Sequence, residues 1–294
     1  MAGGLRRTRM ARLLPTAALA FLTTVTACGG GTSAKTQPVA GPADLVPAQV
    51  RSGGVLRVAS DIEYAPNEFF DAANRPKGLD YDLAAEIARR LKLRLQFDNV
   101  AWDGIIPAVQ QGREDLLMSS MTDTAERQKS LAFVDYFVAG SQVLVRAGDP
   151  HAASGLSGLC GHSVAIQSGT THIDIAGAQS RSCVRKHQPP IRVVQVASGA
   201  TVTSVSSRRT DAAIDDYPVV AYAVQQHPSA LALAGRQVEA APYGIGLAKS
   251  SVALRGAVQA ALEQMDADGT YARILSAWHI TGGSLTTAAL DGGA

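Results

Sequence analysis

Apolar and polar residues alternate over 55–60 (VLRVAS), the period of a strand. The polar stretch Asp61-Ile62-Glu63-Tyr64-Ala65-Pro66-Asn67 that follows reads as a loop. Leu83, Ile87 and Leu91 recur at intervals of four, with Asp80 and Asp82 at the positive end, so 80–91 is an amphipathic helix. Residues 93–97 alternate as a strand, Trp102-Asp103-Gly104 turns the chain, and 105–111 form a short helix stopped by Gly112. The apolar run Leu116-Leu117-Met118 begins the next strand, over 116–119. This β-α-β-α-β order predicts an α/β fold with an open, parallel-type sheet whose ligand site lies at the carboxyl ends of strands.

After Ala139-Gly140 the pattern repeats. Strands are expected at 143–146, 163–167, 191–196 and 212–215, with a hydroxyl-rich turn at 168–171 and a helix through 173–178. Asp216-Tyr217-Pro218 opens another helix, running through Val224. The character changes near 239–243, and 244–248 (GIGLA) is apolar and glycine-rich. Leu254, Val258, Leu262 and Met265 then mark one helix and Tyr271, Ile274, Leu275 and Trp278 a second, broken by Asp268-Gly269-Thr270. Trp278 is read as core or rim.

At 294 residues, 46% hydrophobic and 18% charged, the chain can bury a sizeable core. A net charge of +2 with scattered basic residues excludes a nucleic-acid surface. The exception is the N-terminus, where Arg6, Arg7, Arg9 and Arg12 precede an apolar run over 13–27 with the shape of a secretory leader. It ends in Val-Thr-Ala-Cys, like a bacterial lipobox, making Cys28 the expected lipid anchor on the outer face of the cell membrane. Residues 28–52 have tether composition, and 282–294 are small and polar, hence expected to be disordered. Cys160 and Cys183 remain as an even pair in an oxidising compartment, where a disulfide would stabilise by about 3 kcal/mol. A metal site is the alternative for that pair, since His162 and His187 lie nearby without a recognisable ligand spacing. No metal or cofactor is expected.

The candidate chemistry centres on 118–127 (MSSMTDTAER). Ser119, Ser120 and Thr122 place hydroxyls and backbone donors at a strand end, and Thr124 is a helix N-cap with Arg127 in the following turn. A planar guanidinium fork beside free N–H groups suits a carboxylate. Asp216 is either an acid for a ligand or the N-cap of its own helix, and Asp61 either a site acid or a turn acid. His172 is read as a solvated residue at a helix start.

These segments resemble the polar amino-acid-binding class of extracytoplasmic solute-binding proteins that serve ABC importers. The resemblance rests on LRVASDIEYAP, GLDYDLAAEIARRL, WDGIIPAVQQGREDLLMSSMTDTAERQ, VAIQSGTT, RTDAAIDDYPVVAY, YGIGLAKS and DGTYARILSAW, seven segments in the family's order. It implies a two-lobed periplasmic-binding-protein fold of type II, each lobe an open mixed sheet flanked by helices, with two hinge crossings. Lobe 1 would take 53–139 and 244–281, and lobe 2 140–243. It also implies that Arg127 clamps a ligand α-carboxylate with N–H groups around Thr122 and of the Gly169-Thr170-Thr171 turn. Asp216 takes the α-ammonium with Ser120 and Thr122, and Ser119 lies in the same turn. Tyr64 and Trp102 wall the side chain, and Asp61 faces its tip. Asn67 departs from the family, where an aromatic is usual. The implied function is a monomeric, non-enzymatic lipoprotein that delivers a polar amino acid, leaning to a cationic or amide side chain, to a membrane ABC permease. Two alternatives are an amino-acid sensor subunit and a secreted cyclohexadienyl dehydratase-like enzyme using Glu63 or Glu239 as the acid.

Overall fold

The computed structural model describes residues 41–149, 152–285 and 288–293. The expected leader over 1–27, Cys28 and the first part of the tether lie outside the described residues. The remainder of that tether is folded. Pro42–Leu45 form a 3-10 turn and Ala48–Gly53 a helix (α1) ended by Gly54 at φ 66°. Pro42 and Val46 are buried, and Val46 joins the core. Two apolar anchors suffice to fix a segment whose composition is otherwise that of a linker.

In chain order the elements are β1 (Val55–Ser60), β2 (Glu63–Tyr64), β3 (Glu68–Phe70), β4 (Pro76–Lys77), α2 (Leu79–Arg90), β5 (Arg94–Asn99) and α3 (Trp102–Gln110). There follow β6 (Leu116–Leu117), α4 (Ala125–Gln128), β7 (Ala132–Arg146), β8 (Ser163–Gln167) and α5 (His172–Arg185). The chain continues with β9 (Arg192–Val196), α6 (Ala200–Ser206), β10 (Ala212–Asp216), α7 (Tyr217–Gln226), β11 (Leu231–Leu247), α8 (Val252–Ala267) and α9 (Thr270–Ala277). Trp102-Asp103-Gly104, expected as a turn, is the first turn of α3.

The fold is α/β and two-lobed, on one hydrogen-bonded sheet of order β5-β1-β6-β11-β7-β10-β8-β9. Two long antiparallel strands serve both lobes. Residues 132–139 of β7 pair with 241–247 of β11 beside β6, while 141–146 pair with 231–238 beside β10. Register shifts between Ala234 and Gly244 mark the passage from one half to the other. The core divides accordingly, with apolar clusters on both faces of each half-sheet. Leu56, Leu83, Ile87, Val258 and Met265 lie on one face of the first lobe and Ile105, Leu117 and Phe133 on the other. In the second lobe Val164, Ile214 and Cys183 oppose Leu144, Val205 and Val220. The expected strand at 143–146 thus begins eleven residues early, at Ala132, because β7 is buried on both faces and carries no alternation to read.

Cys160 and Cys183 are joined by a disulfide, their Cα atoms 5.6 Å apart. Trp278 packs against the first core and donates to Asp82 Oδ2 at 2.8 Å. The C-terminal stretch is an ordered strap along the start of β7. Asp291 Oδ1 accepts from Phe133 N–H at 2.6 Å, Gly292 N–H donates to Asp135 Oδ2 at 3.1 Å, and Gly293 N–H donates to Asp123 Oδ2 at 2.9 Å. These bonds from main-chain N–H groups to aspartate carboxylates hold 288–293, part of the tail expected to be disordered.

The strap crowds acids together. Burial, then the charge of Asp123, push the Asp135 carboxyl up to about 7, with Asp291 adding and the Gly292 N–H opposing. A carboxyl raised above its unfolded value of 3.8 keeps its proton in the folded protein between the two values, so stability falls as pH rises through that interval. The melting temperature of the unliganded protein is therefore expected to be several degrees higher at pH 5.5 than at pH 8. Asp135→Asn, uncharged throughout, should reduce that difference in calorimetry, the remainder coming from Glu68, Asp80 and His172, and an unaltered slope would refute the assignment.

Candidate functional site

Strand ends from the two lobes converge on one cavity. From the first lobe come Asp61 after β1, Trp102 at the start of α3, the 118–124 turn after β6, and Arg127 on α4. From the second come the 168–171 turn after β8 and Asp216 at the end of β10. The cleft between them is partly open to solvent. Asp61, Tyr64, Trp102, Ser119, Ser120, Thr122, Arg127, Thr170, Thr171 and Asp216 all line it. Gly169, also expected in the site, does not line the cavity; its carbonyl accepts from Trp102 Nε1 at 3.2 Å and Arg127 Nη2 at 3.4 Å across the lobes.

At the cationic end Thr124 caps α4 as expected, its hydroxyl accepting from Arg127 N–H at 3.2 Å. The guanidinium donates to Thr122 O at 2.8 Å and lies 5.4 Å from the Trp102 ring centroid. Burial holds its pKa below the ordinary arginine value against the charges of Asp216 and Asp123. It is a desolvated cation met by carbonyl oxygens, with its charge open to an incoming anion.

Asp216 lies at the N-cap position of α7 but makes no capping bond with its side chain. The carboxylate turns instead to the cavity, where Oδ2 accepts from Tyr64 Oη at 2.9 Å and Oδ1 lies 3.3 Å from His172 Nε2. Burial pushes Asp216 up, but His172, Tyr243 and Tyr64 more than offset this and leave it below its ordinary value. His172 corrects the sequence reading. It is only 3% exposed, because α5 begins inside the cleft and turns its first residue toward Asp216. Behind them Asp215 accepts from Tyr64, Thr201 and the Asp216 N–H.

The floor holds a second acidic group. Glu68 on β3 lines the cavity and accepts from Ser119 Oγ at 3.0 Å and Ser120 Oγ at 3.1 Å. Beneath it Asp80 accepts from Ser120 N–H at 2.7 Å and Tyr136 Oη at 2.8 Å. Burial first, then the charge of Asp80, drive Glu68 well above the usual carboxylate range, and burial lifts Asp80 to about 6, so the pair keeps a proton at neutral pH. The network also holds Ser120 at φ 47°, a left-handed backbone rarely seen outside glycine. Asp61 is raised by burial, opposed by a bond from Ser198 in the other lobe, and accepts from Trp102 N–H at 3.1 Å.

Glu68, Gln167 and Ser198 line the cavity and escaped the sequence reading. Glu68 lies on a three-residue strand of a small β2-β3-β4 sheet that has no periodicity to detect. Ser198 precedes α6, an element that went unpredicted. Gln167 was read only as the last residue of its strand. Asn67 is fully buried and does not line the cavity. Glu63 and Glu239, the acids of the enzymatic alternative, are exposed and outside the cavity. His172, Asp215 and Asp216 offer ligand atoms within 4.8 Å of one another. Donors from Tyr64 and Thr201 already occupy the Asp215 oxygens, so the grouping is a hydrogen-bond network rather than an open coordination shell.

Residues 56–281 match the family model for bacterial extracellular solute-binding proteins, family 3. An arginine-binding protein of Corynebacterium glutamicum is 29% identical over 249 residues, covering 84% of this chain and 81% of that protein. Among solved structures, an ancestral arginine-binding protein bound to arginine superposes with a TM-score of 0.70 at 32% identity, over 76% of this chain and 98% of its own. An ancestral amino acid-binding protein, a precursor of cyclohexadienyl dehydratase, gives 0.68 at 31% identity, over 78% and 97%.

Proposed function

Because the chain belongs to the family 3 bacterial extracellular solute-binding proteins, we propose that it captures one polar amino acid, with a cationic or amide side chain, and delivers it to a membrane ABC permease. A free amino acid presents a carboxylate and an ammonium a few ångströms apart. Arg127 and Asp216, brought from opposite lobes into one cavity, are the observation that carries this reading. In it Arg127 clamps the carboxylate with N–H groups around Thr122 and Thr171, and Asp216 takes the ammonium. Trp102 and Tyr64 wall the side chain, and Asp61 faces its tip. The arginine named for the relatives favours a cation.

A charged hydrogen bond contributes about 1.5–3 kcal/mol net, while micromolar affinity needs about 8 kcal/mol. Neither end suffices alone, so binding favours the arrangement in which both lobes touch the ligand. Cys28 would tether the protein to the outer face of the membrane. Residues 53–139 with 244–281 would move against 140–243, with 42–52 and the C-terminal strap travelling with the first group.

A thermal-shift screen of the twenty amino acids tests the ligand. At a hundredfold excess over the dissociation constant, stabilisation of about 2.7 kcal/mol is expected for arginine, lysine, histidine or glutamine. No shift with any of the twenty, or the largest with aspartate or glutamate, would sink the reading.

A further inference from the structure

Asp216 already has a cation of the protein's own beside it. His172 lies buried at the start of α5 with Nδ1 3.2 Å from Thr170 Oγ1 and Nε2 3.3 Å from Asp216 Oδ1. That Nε2 is buried with no aligned hydrogen-bond partner, a contact of charge rather than of geometry. The other oxygen of Asp216 faces Tyr64 Oη at 2.9 Å, whose single proton is shared with Asp215, and Oδ1 is the atom beside His172 where a further cation would compete. Resting on the reading that Asp216 holds the α-ammonium, we propose that protonated His172 and the ligand's ammonium compete for Asp216. Capture is then coupled to proton release, and His172 sets how strongly the site prefers cationic over uncharged side chains.

The charges facing His172 come from several elements. Asp216 and Asp215 at the end of β10 favour its protonated form, Arg127 from α4 opposes it, and Asp174 is two residues on in α5. Tyr64 from β2 and Tyr243 from β11 flank Asp216 with hydroxyls that stay protonated. Across the cleft Asp103 of α3 approaches the Gly169 turn. Burial pulls the imidazole down, but the contact with Asp216 and the two aspartate charges outweigh it and leave His172 above its ordinary value of 6.5. Loss of the imidazole proton makes the site one charge more negative, which suits a cationic side chain.

The test is calorimetric titration of arginine and of glutamine from pH 5.5 to 8.5, in buffers of different ionisation enthalpy, with the wild type and His172→Gln. In the wild type, arginine affinity is expected to weaken toward tenfold per pH unit below the His172 midpoint, with close to one proton released per ligand bound. The arginine-to-glutamine affinity ratio should fall together with it. In His172→Gln both the proton release and the fall in the ratio should shrink. Glu68, Asp80 and Asp61 titrate in both proteins and cancel in the difference. Arginine binding with no proton release at any pH, or with identical profiles in the two proteins, overturns the proposal while leaving amino-acid capture intact. Binding that strengthens on acidification overturns it too. Should the variant fail to fold, the proton count of the wild type decides alone. If neither amino acid binds at any pH, the underlying reading fails with it.

Discussion

Arg127→Ala is expected to weaken arginine binding at least a hundredfold while leaving the melting temperature of the unliganded protein unchanged or slightly raised. The two effects separate because the guanidinium has different partners in the two states. Without ligand it is half-buried against the carbonyls of Thr122 and Gly169 and the Trp102 ring, with its pKa depressed by desolvation. Removing a desolvated cation that no carboxylate neutralises costs folding little. With ligand it would make two charge-assisted bonds to one carboxylate, about 1.5–3 kcal/mol each, which is a loss of roughly two to four orders of magnitude in affinity. Arg127→Lys should recover only part, since an ammonium cannot make the planar double contact. Titration calorimetry and a melting curve on the same sample check both halves. A dissociation constant within about threefold of wild type would place the carboxylate elsewhere.

Gly199→Ala is expected to weaken ligand binding by tenfold or more through a contact the ligand never makes. Gly199 precedes α6 at φ +67°, and a Cβ there would lie 2.6 Å from the Glu63 carbonyl oxygen of the other lobe. Two costs arise and report separately. The left-handed backbone costs alanine about 1–2 kcal/mol whether or not the lobes meet, and lowers the melting temperature by a few degrees. The overlap with Glu63 exists only where the lobes touch, so it appears as lost affinity, because ligand binding draws on the closed arrangement alone. An unchanged dissociation constant with a lowered melting temperature would show that this contact is no part of closure.

Much of this was legible from residue patterns. The strand at 55–60 and the strand at 163–167 agree with β1 and β8 residue for residue, since each is bounded by turn residues. The hydroxyl turn and its capped helix gave Thr124 its role and placed Arg127. Asp216 was open to two readings; its side chain makes no capping bond and lines the cavity. What escaped was whatever tertiary packing alone decides. The first half of β7 is apolar on both faces and so shows no period. Glu68 and Asp80 acquire their shared burial only when a three-residue strand folds over the start of α2. His172 looked like a surface residue because sequence gives its position on the helix but not which way the helix start faces. The C-terminal strap is held by main-chain bonds that composition cannot register.

That strap also bears on how the protein would be handled as a tool. Gly293 N–H is bonded to the carboxylate of Asp123, next to Thr122 and four residues before Arg127. If that loop holds the ligand as proposed, a fluorescent reporter fused to the C-terminus would be leashed directly under it, well placed to sense its occupancy. A purification handle at that end pulls on the same loop, so it is better removed before affinities are compared.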